Sequence, residues 1–386
     1  RLQAFGQQVA GAGDVDAARR GSRAGVDAGV LLLVRLHADL QLPLRIELDP
    51  QPGQALARDQ DAAVDAVAPA PPPRGLPGAA DDKGPVCCFI EALRAWRAAH
   101  GRLPVHLSVL IEGEEESGAA HLKPFLQQHK AALAADVVLV SDSYIWDERS
   151  PAITYGLRGL VYFDIQLHGA DRDLHSGSYG GMVPNPATTL GEVLGRLFDK
   201  DHHIAIPGFY DRVRNVDPRE RSYMATVGPS DAKVLADANT ERSWGEPGFS
   251  LYERTTVRPS LSITGLTGGY QGEGSKAIIP ARAAAKLNFR LVPEQDPAEI
   301  EALVRRHLAR LTPPTVRAQV KTRQRARPAE IDRRDAAIRA AARAYKRGFG
   351  AAPVFLRSGG SIPVVNLFQE ILGIPTALMG FGLPTD

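Results

Sequence analysis

From residue 79 onward, apolar positions fall into regular blocks. Val86, Phe89, Ile90, Leu93 and Trp96 recur at helical spacing between Pro85 and His100. Pro85 sits near the start of that stripe, where its missing N–H is tolerated. Residues 105–111 (VHLSVLI) predict a buried strand that ends in an acidic turn. Residues 122–133 predict a helix, which Pro124 restricts to starting near there. Val137 to Val140 predicts a second short buried strand, ending at Ser141-Asp142. Between Tyr155 and His168 the period changes. Val161, Phe163, Ile165 and Leu167 alternate with Tyr162, Asp164 and Gln166, the mark of a half-buried strand. A helix is expected at 186–199, followed by a polar stretch with His202 and His203. Strands are expected at 261–266 and 284–292, helices at 297–311 and 336–349, and a final apolar segment at 374–381.

Helices and strands alternating at this spacing predict an α/β fold: a mostly parallel sheet with helices on both faces, interrupted by a smaller α+β domain. Residues 1–78 differ. They are rich in Ala, Arg, Gly, Asp and Gln, carry little periodicity, and close in PAPPPRGLPG (residues 69–78). That composition fits a linker, disorder or an out-of-frame segment equally well. The chain starts at Arg1 and stops at Asp386 after an apolar segment, so truncation at both ends is expected.

Composition narrows the function classes. With 386 residues, the chain can bury a large core, and a formal charge of +2 gives no field that would favour nucleic acid or membrane. The apolar run at residues 30–34 is far shorter than the roughly 20 residues of a membrane span. Two adjacent cysteines, Cys87 and Cys88, make no disulfide framework and read as small buried helix residues. A reducing, cytoplasmic setting is the expectation.

Candidate chemistry lies where strands end. Ligands in open α/β sheets gather outside the carboxyl ends of strands. Glu112, Glu114, Glu115 and Glu116 follow one predicted strand, Asp142 follows the next, and Asp81-Asp82 precedes the first helix. Carboxylates gathered in one cleft repel unless a cation neutralises them. Two divalent metals would do so and would lower the pKa of a shared water. Taken singly, the glutamates also fit a solvated turn, Asp81-Asp82 a helix cap and Asp142 a turn residue. Residue types alone leave both readings open.

Seven stretches occur in order: ADDKGPV (80–86), EGEEESG (112–118), VSDSY (140–144), ITYGLRGLVYFDI (153–165), RDLHSGSYGG (172–181), FRLVP (289–293) and RSGGSIPV (357–364). Together they resemble the dizinc metallopeptidase family of carnosinases, bacterial dipeptidases, aminoacylases and glutamate carboxypeptidases, in particular its carnosinase-like dipeptidase branch. The resemblance covers about residues 79–386. It implies a catalytic metal-binding domain from 79–156 and 331–386, and a lid and dimerisation domain at 157–330. It implies two zinc ions, with manganese or cobalt as substitutes, bridged by Asp81 and held further by Glu116 and Asp142. Glu115 would be the general base that takes a proton from the water. His175 would reach a neighbouring subunit's site in a homodimer. Arg290 would clamp a substrate carboxylate, and Gly359, Gly360 and Ser361 would line the pocket. The implied reaction is hydrolysis of dipeptides or short peptides; deacylation within the same family is the alternative.

Two elements of the family pattern are missing. A His-x-Asp ligand pair ahead of the bridging Asp has no good match, since His37-Ala38-Asp39 has the spacing without the surroundings. A ligand His beyond GFGLPTD falls past Asp386. Zinc sites ordinarily include nitrogen donors, so an inactive remnant of such a peptidase is a further expectation. His106 reads as a core residue, and His202-His203 as loop residues.

Overall fold

The computed structural model describes residues 29–35 and 112 (backbone only), 84–111, 119 and 121–383. The expectations at Asp81, Glu115, Glu116, His37 and Asp39 therefore lie outside the described residues.

Two sheets organise the described chain. The larger has seven described strands: β1 (Gly29–Arg35), β2 (His106–Glu112), β3 (Val137–Val140), β4 (Ala152–Leu157), β11 (Ala329–Glu330), β12 (Val354–Ser358) and β13 (Thr376–Leu378). Their order is β11-β4-β13-β3-β1-β2, with β12 paired to β4. The smaller sheet is antiparallel, in the order β10-β5-β9-β7, from β5 (Gly159–His168), β7 (Ser260–Gly268), β9 (Arg282–Leu291) and β10 (Arg317–Ala326). A short ribbon pairs β6 (Leu174–His175) with β8 (Ile278–Ile279).

The α/β class holds, but the larger sheet is mixed, not mostly parallel. β13 runs parallel to β3 and β12 parallel to β4, whereas β1 is antiparallel to both β2 and β3, and β4 to both β13 and β11. β1 corrects the reading of residues 1–78 as lacking strand pattern. Its backbone pairs with β2 on one side and β3 on the other.

Each sheet has its own core. In the smaller one, Val161, Phe163, Ile165 and Leu167 of β5 are buried, as their alternation predicts, together with Leu287 and Phe289 of β9. Two helices supply the rest: Pro186–Gly195 through Leu190, Val193 and Leu194, and Pro297–Leu311 through Ile300, Val304 and Leu308. Asn185 and Asp296 cap these helices, each accepting from two backbone N–H groups. The larger sheet buries Val138, Val140, Ile153, Tyr155, Ala377 and Leu378 against Ile338 and Tyr345 of the helix Ala336–Phe349 and against Phe368.

The first helix, Gly84–His100, departs from expectation in one respect. Val86, Phe89, Ile90 and Leu93 are half-buried, with Phe89 edge-on to Phe381 at 5.9 Å, but Trp96 is exposed, and so are Cys87 and Cys88. Positions 87 and 88 lie off the apolar stripe, so their small size does not bring them into the core.

Candidate active site

Strand register sets the first part of the site. Leu31 of β1 pairs with Leu110 of β2 and with Val140 of β3. Two residues farther on, Glu112 and Asp142 are thus level with each other at one edge of the sheet. Leu378 of β13 pairs with Val140, so Gly380 arrives at the same level. Met379 N–H donates to Val140 O at 2.9 Å and ties this edge together. Glu115 and Glu116 follow Glu112 in sequence.

Gly380 makes this approach feasible. A Cβ there would lie 1.4 Å from Ser143 O and 2.6 Å from Ser141 O, inside the turn that carries Asp142. From the other side Tyr345, buried in the core, donates its hydroxyl to Gly380 O at 2.7 Å. Asp142 is half-buried. Asp142 is a carboxylate at a strand end, a donor type that suits a divalent cation, and in sequence the glutamates of EGEEESG add further oxygen donors. A second acidic group, Asp199, Asp201 and His203, has ligand spacing but sits on the surface after the helix Pro186–Gly195, and it carries no functional reading here.

The second part of the site lies where the two sheets join. β4 and β5 are separated by one residue, Arg158, and the Gly359–Ser361 loop follows β12 directly. Arg290, half-buried on β9, donates from Nη1 to Ser361 Oγ at 2.9 Å. Arg158 donates from Nε to Gly359 O at 2.9 Å, and its backbone N–H donates to Gly360 O at 3.0 Å. Its Nη1 reaches Ser260 Oγ at 2.9 Å. Burial, and secondarily the Arg290 charge beside it, lowers the Arg158 pKa to about 10. Gly359 is packed under this guanidinium, with Thr255 O only 2.6 Å from where a Cβ would sit. Arg290, Gly359, Gly360 and Ser361 thus come together, and Arg158 joins them. Nothing in the hydrophobic pattern singles out Arg158, which interrupts two apolar strand runs within the ITYGLRGLVYFDI motif.

His175 lies elsewhere, exposed at the end of β6. Its Nδ1 accepts from Gly177 N–H at 3.1 Å as it caps the short helix Ser176–Tyr179. An acceptor Nδ1 leaves the proton of the neutral ring on Nε2, which makes Nε2 an outward donor. Gly177 leaves room for the ring, since a Cβ there would approach His175 Cε1 to 2.9 Å. Gly177→Ala is expected to unseat the ring. Imidazole nitrogen NMR should then show a mixture of tautomers in place of the single Nε2–H form, and an unchanged spectrum would contradict this.

Residues 155–316 match the peptidase dimerisation domain of the M20 family. Over 316 residues the chain is 33% identical to the human Beta-Ala-His dipeptidase, covering 80% of this chain and 62% of that protein. It is 32% identical to the Cys-Gly metallodipeptidase DUG1 of Candida albicans, covering 80% and 65%. Over most of its length the chain is similar to metallopeptidases of the M20 family. The structure agrees: an M20 family metallo-carboxypeptidase from Sulfolobus solfataricus superposes with a TM-score of 0.71 at 29% identity, over 78% of this chain and 68% of that one. The chain spans less than two thirds of the length of the two curated relatives named above. The Candida albicans relative is named a metallodipeptidase and the Sulfolobus solfataricus structure a metallo-carboxypeptidase, and residues 155–316 match a dimerisation domain. Among the described residues no helix is long and apolar enough to cross a membrane.

Proposed function

We propose that this protein is a metal-dependent dipeptidase of the carnosinase type, acting on short peptides with a free carboxyl end. The observation that carries this reading is the junction at which Arg290 meets Ser361, on the loop whose Gly359 and Gly360 carbonyls accept from Arg158. A planar guanidinium in that position suits two-point recognition of a carboxylate.

In this account Asp81, Glu116 and Asp142 would hold divalent metal, with zinc as the proposed ion. When bound, the metals supply Lewis-acid polarisation of the scissile carbonyl and a water of lowered pKa. Glu115 would act as the general base, accepting a proton from the attacking water and passing it to the leaving amine. Arg290 fixes the substrate's carboxyl end, and the Gly359–Ser361 loop lets the peptide backbone approach closely. His175 Nε2–H donates to the developing oxyanion in the partner subunit's site, where a fixed donor is worth more than one that must reorient. This requires a homodimer. The domain division at 79–156 with 331–386, and at 157–330, is part of the same proposal, as is a cytoplasmic setting, which the exposed, unpaired Cys87 and Cys88 support.

The test is hydrolysis of β-alanyl-histidine and cysteinyl-glycine by the purified chain, with an N-acetyl amino acid as the deacylase control. Dipeptide cleavage is expected, lost on chelation and restored by zinc. Glu115→Gln should lower kcat by at least about 100-fold, the usual scale for a general base. Cleavage that survives chelation, or turnover of the acetylated substrate alone, would contradict the dipeptidase reading.

A further inference from the structure

Two buried arginines, Arg158 and Arg357, and the partly buried Arg258 lie near the junction of the sheets, and they are neutralised unequally. Arg357 is paired with Glu220 and Glu330. Arg258 is paired with Glu246. Arg158, 8% exposed, has only neutral acceptors among the described residues: Gly359 O, Ser260 Oγ and Arg258 O. The charge that acts on it is another cation, Arg290. A buried charge without a counter-ion is costly, and a second like charge beside it adds to the cost. The bonds that hold the Gly359–Ser361 loop need only N–H donors, which a neutral side chain could supply. The placement of two cations around one glycine-rich loop is explained if an anion completes it.

We propose that Arg158 is a positioning residue of the carboxylate subsite, holding the Gly359–Ser361 loop against Arg290 and setting, jointly with it, the preference for ligands with a free carboxylate. This rests on the dipeptidase reading above and deepens it. The bidentate reach of Arg158, to the loop through Nε and to β7 through Nη1, fixes where Ser361 meets Arg290. Its charge adds to the field that a carboxylate experiences there. Lysine at 158 could supply the charge but not both bonds.

The test compares a reduced β-alanyl-histidine isostere, whose peptide carbonyl is replaced by a methylene so that it cannot be cleaved, as free acid and as C-terminal amide. Affinities are read by calorimetry on the full chain with zinc present. The wild type is expected to favour the acid. Arg158→Gln should reduce the acid-over-amide ratio about tenfold, the scale of a lost charged hydrogen bond. Arg158→Lys should reduce it several-fold while circular dichroism remains that of the wild type. A purely structural arginine would weaken acid and amide alike and leave the ratio intact; that result in either folded variant overturns the proposal. If Arg290→Gln abolishes the ratio while the Arg158 variants retain it, the carboxylate reading stands and the role of Arg158 falls. If the wild type shows no preference, both fall. Should Arg158→Gln fail to fold, the lysine variant alone decides.

Discussion

Replacing Arg357 by Met is expected to destabilise the protein by about 3–5 kcal/mol, the scale seen when one member of a buried ion cluster is removed. Arg357 on β12 donates from Nε to Glu220 at 2.7 Å and from Nη2 to Glu330 at 2.5 Å. Its guanidinium carbon sits 4.7 Å from the centre of the Tyr155 ring. Glu220 belongs to the helix Pro218–Val227, and Tyr155 also donates its hydroxyl to Glu220 at 2.9 Å. Tyr252, in the helix Leu251–Thr256, brackets the same strand: its hydroxyl accepts from Arg357 N–H at 2.9 Å and donates to Arg357 O at 3.0 Å. These bonds clasp two helices onto the strand that leads into the Gly359–Ser361 loop. Methionine keeps the packing volume but takes the guanidinium away from Glu220 and leaves Glu330 to the exposed Arg214. Urea unfolding would measure the loss, and a change below about 1 kcal/mol would mean that the clasp contributes little.

The same cluster carries a pH dependence. Burial alone would raise the pKa of Glu330, but its hydrogen bonds and charge pairing with Arg357 and then Arg214 outweigh burial and hold it below the usual glutamate value. A depressed folded-state pKa means that its contribution is present above the unfolded glutamate pKa and is lost as pH falls through the folded value. Arg357→Met should therefore flatten the loss of stability on acidification as well as lower the plateau.

The second large effect is expected at Gly380→Ala. The added methyl group would meet the backbone oxygens of Ser143 and Ser141, which cannot rotate away as the end of a side chain could. Either β13 or the Ser141–Ser143 turn must move. The expected cost exceeds about 3 kcal/mol, as for overpacking into fixed backbone. The displacement would also carry Asp142 out of level with Glu112, so metal affinity should fall along with stability. The paired readouts are the unfolding midpoint and retained metal after dialysis. A variant as stable as the wild type with undiminished metal would refute the close approach on which this part of the site depends.

How much of this could be read from the sequence depended on how each element is buried. β5 and β9 are covered on one face by two helices, so alternation revealed them; the helices Pro297–Leu311 and Ala336–Phe349 were legible to the residue from their stripes and caps. β10, RAQVKTRQRA, escaped because it is an edge strand whose inner positions are only partly covered. The helices Pro218–Val227, Asp231–Asp237 and Leu251–Thr256 hid in a polar stretch, since their anchoring is through charges and hydroxyls more than through an apolar face. Within the site, acids placed after strands were visible as strand-end chemistry. The junction was not: Arg290 and Ser361 are 71 positions apart, and Arg158 and Gly359 are 201 apart. Only the resemblance to known peptidases had tied Arg290 and the loop to one substrate. Periodicity carries no information about such long-range pairing, and it gave Arg158 no role at all.

The central claim is that a metal centre forms at the shared edge of β2, β3 and β13. Its most direct test is elemental analysis of the purified chain after dialysis against zinc-containing and then zinc-free buffer, beside Asp142→Asn and Glu116→Ala. About two zinc ions per wild-type chain are expected, as for a paired-metal hydrolase site, with a clear fall in both variants. Little or no retained metal in the wild type, or the same content in all three proteins, would contradict the account.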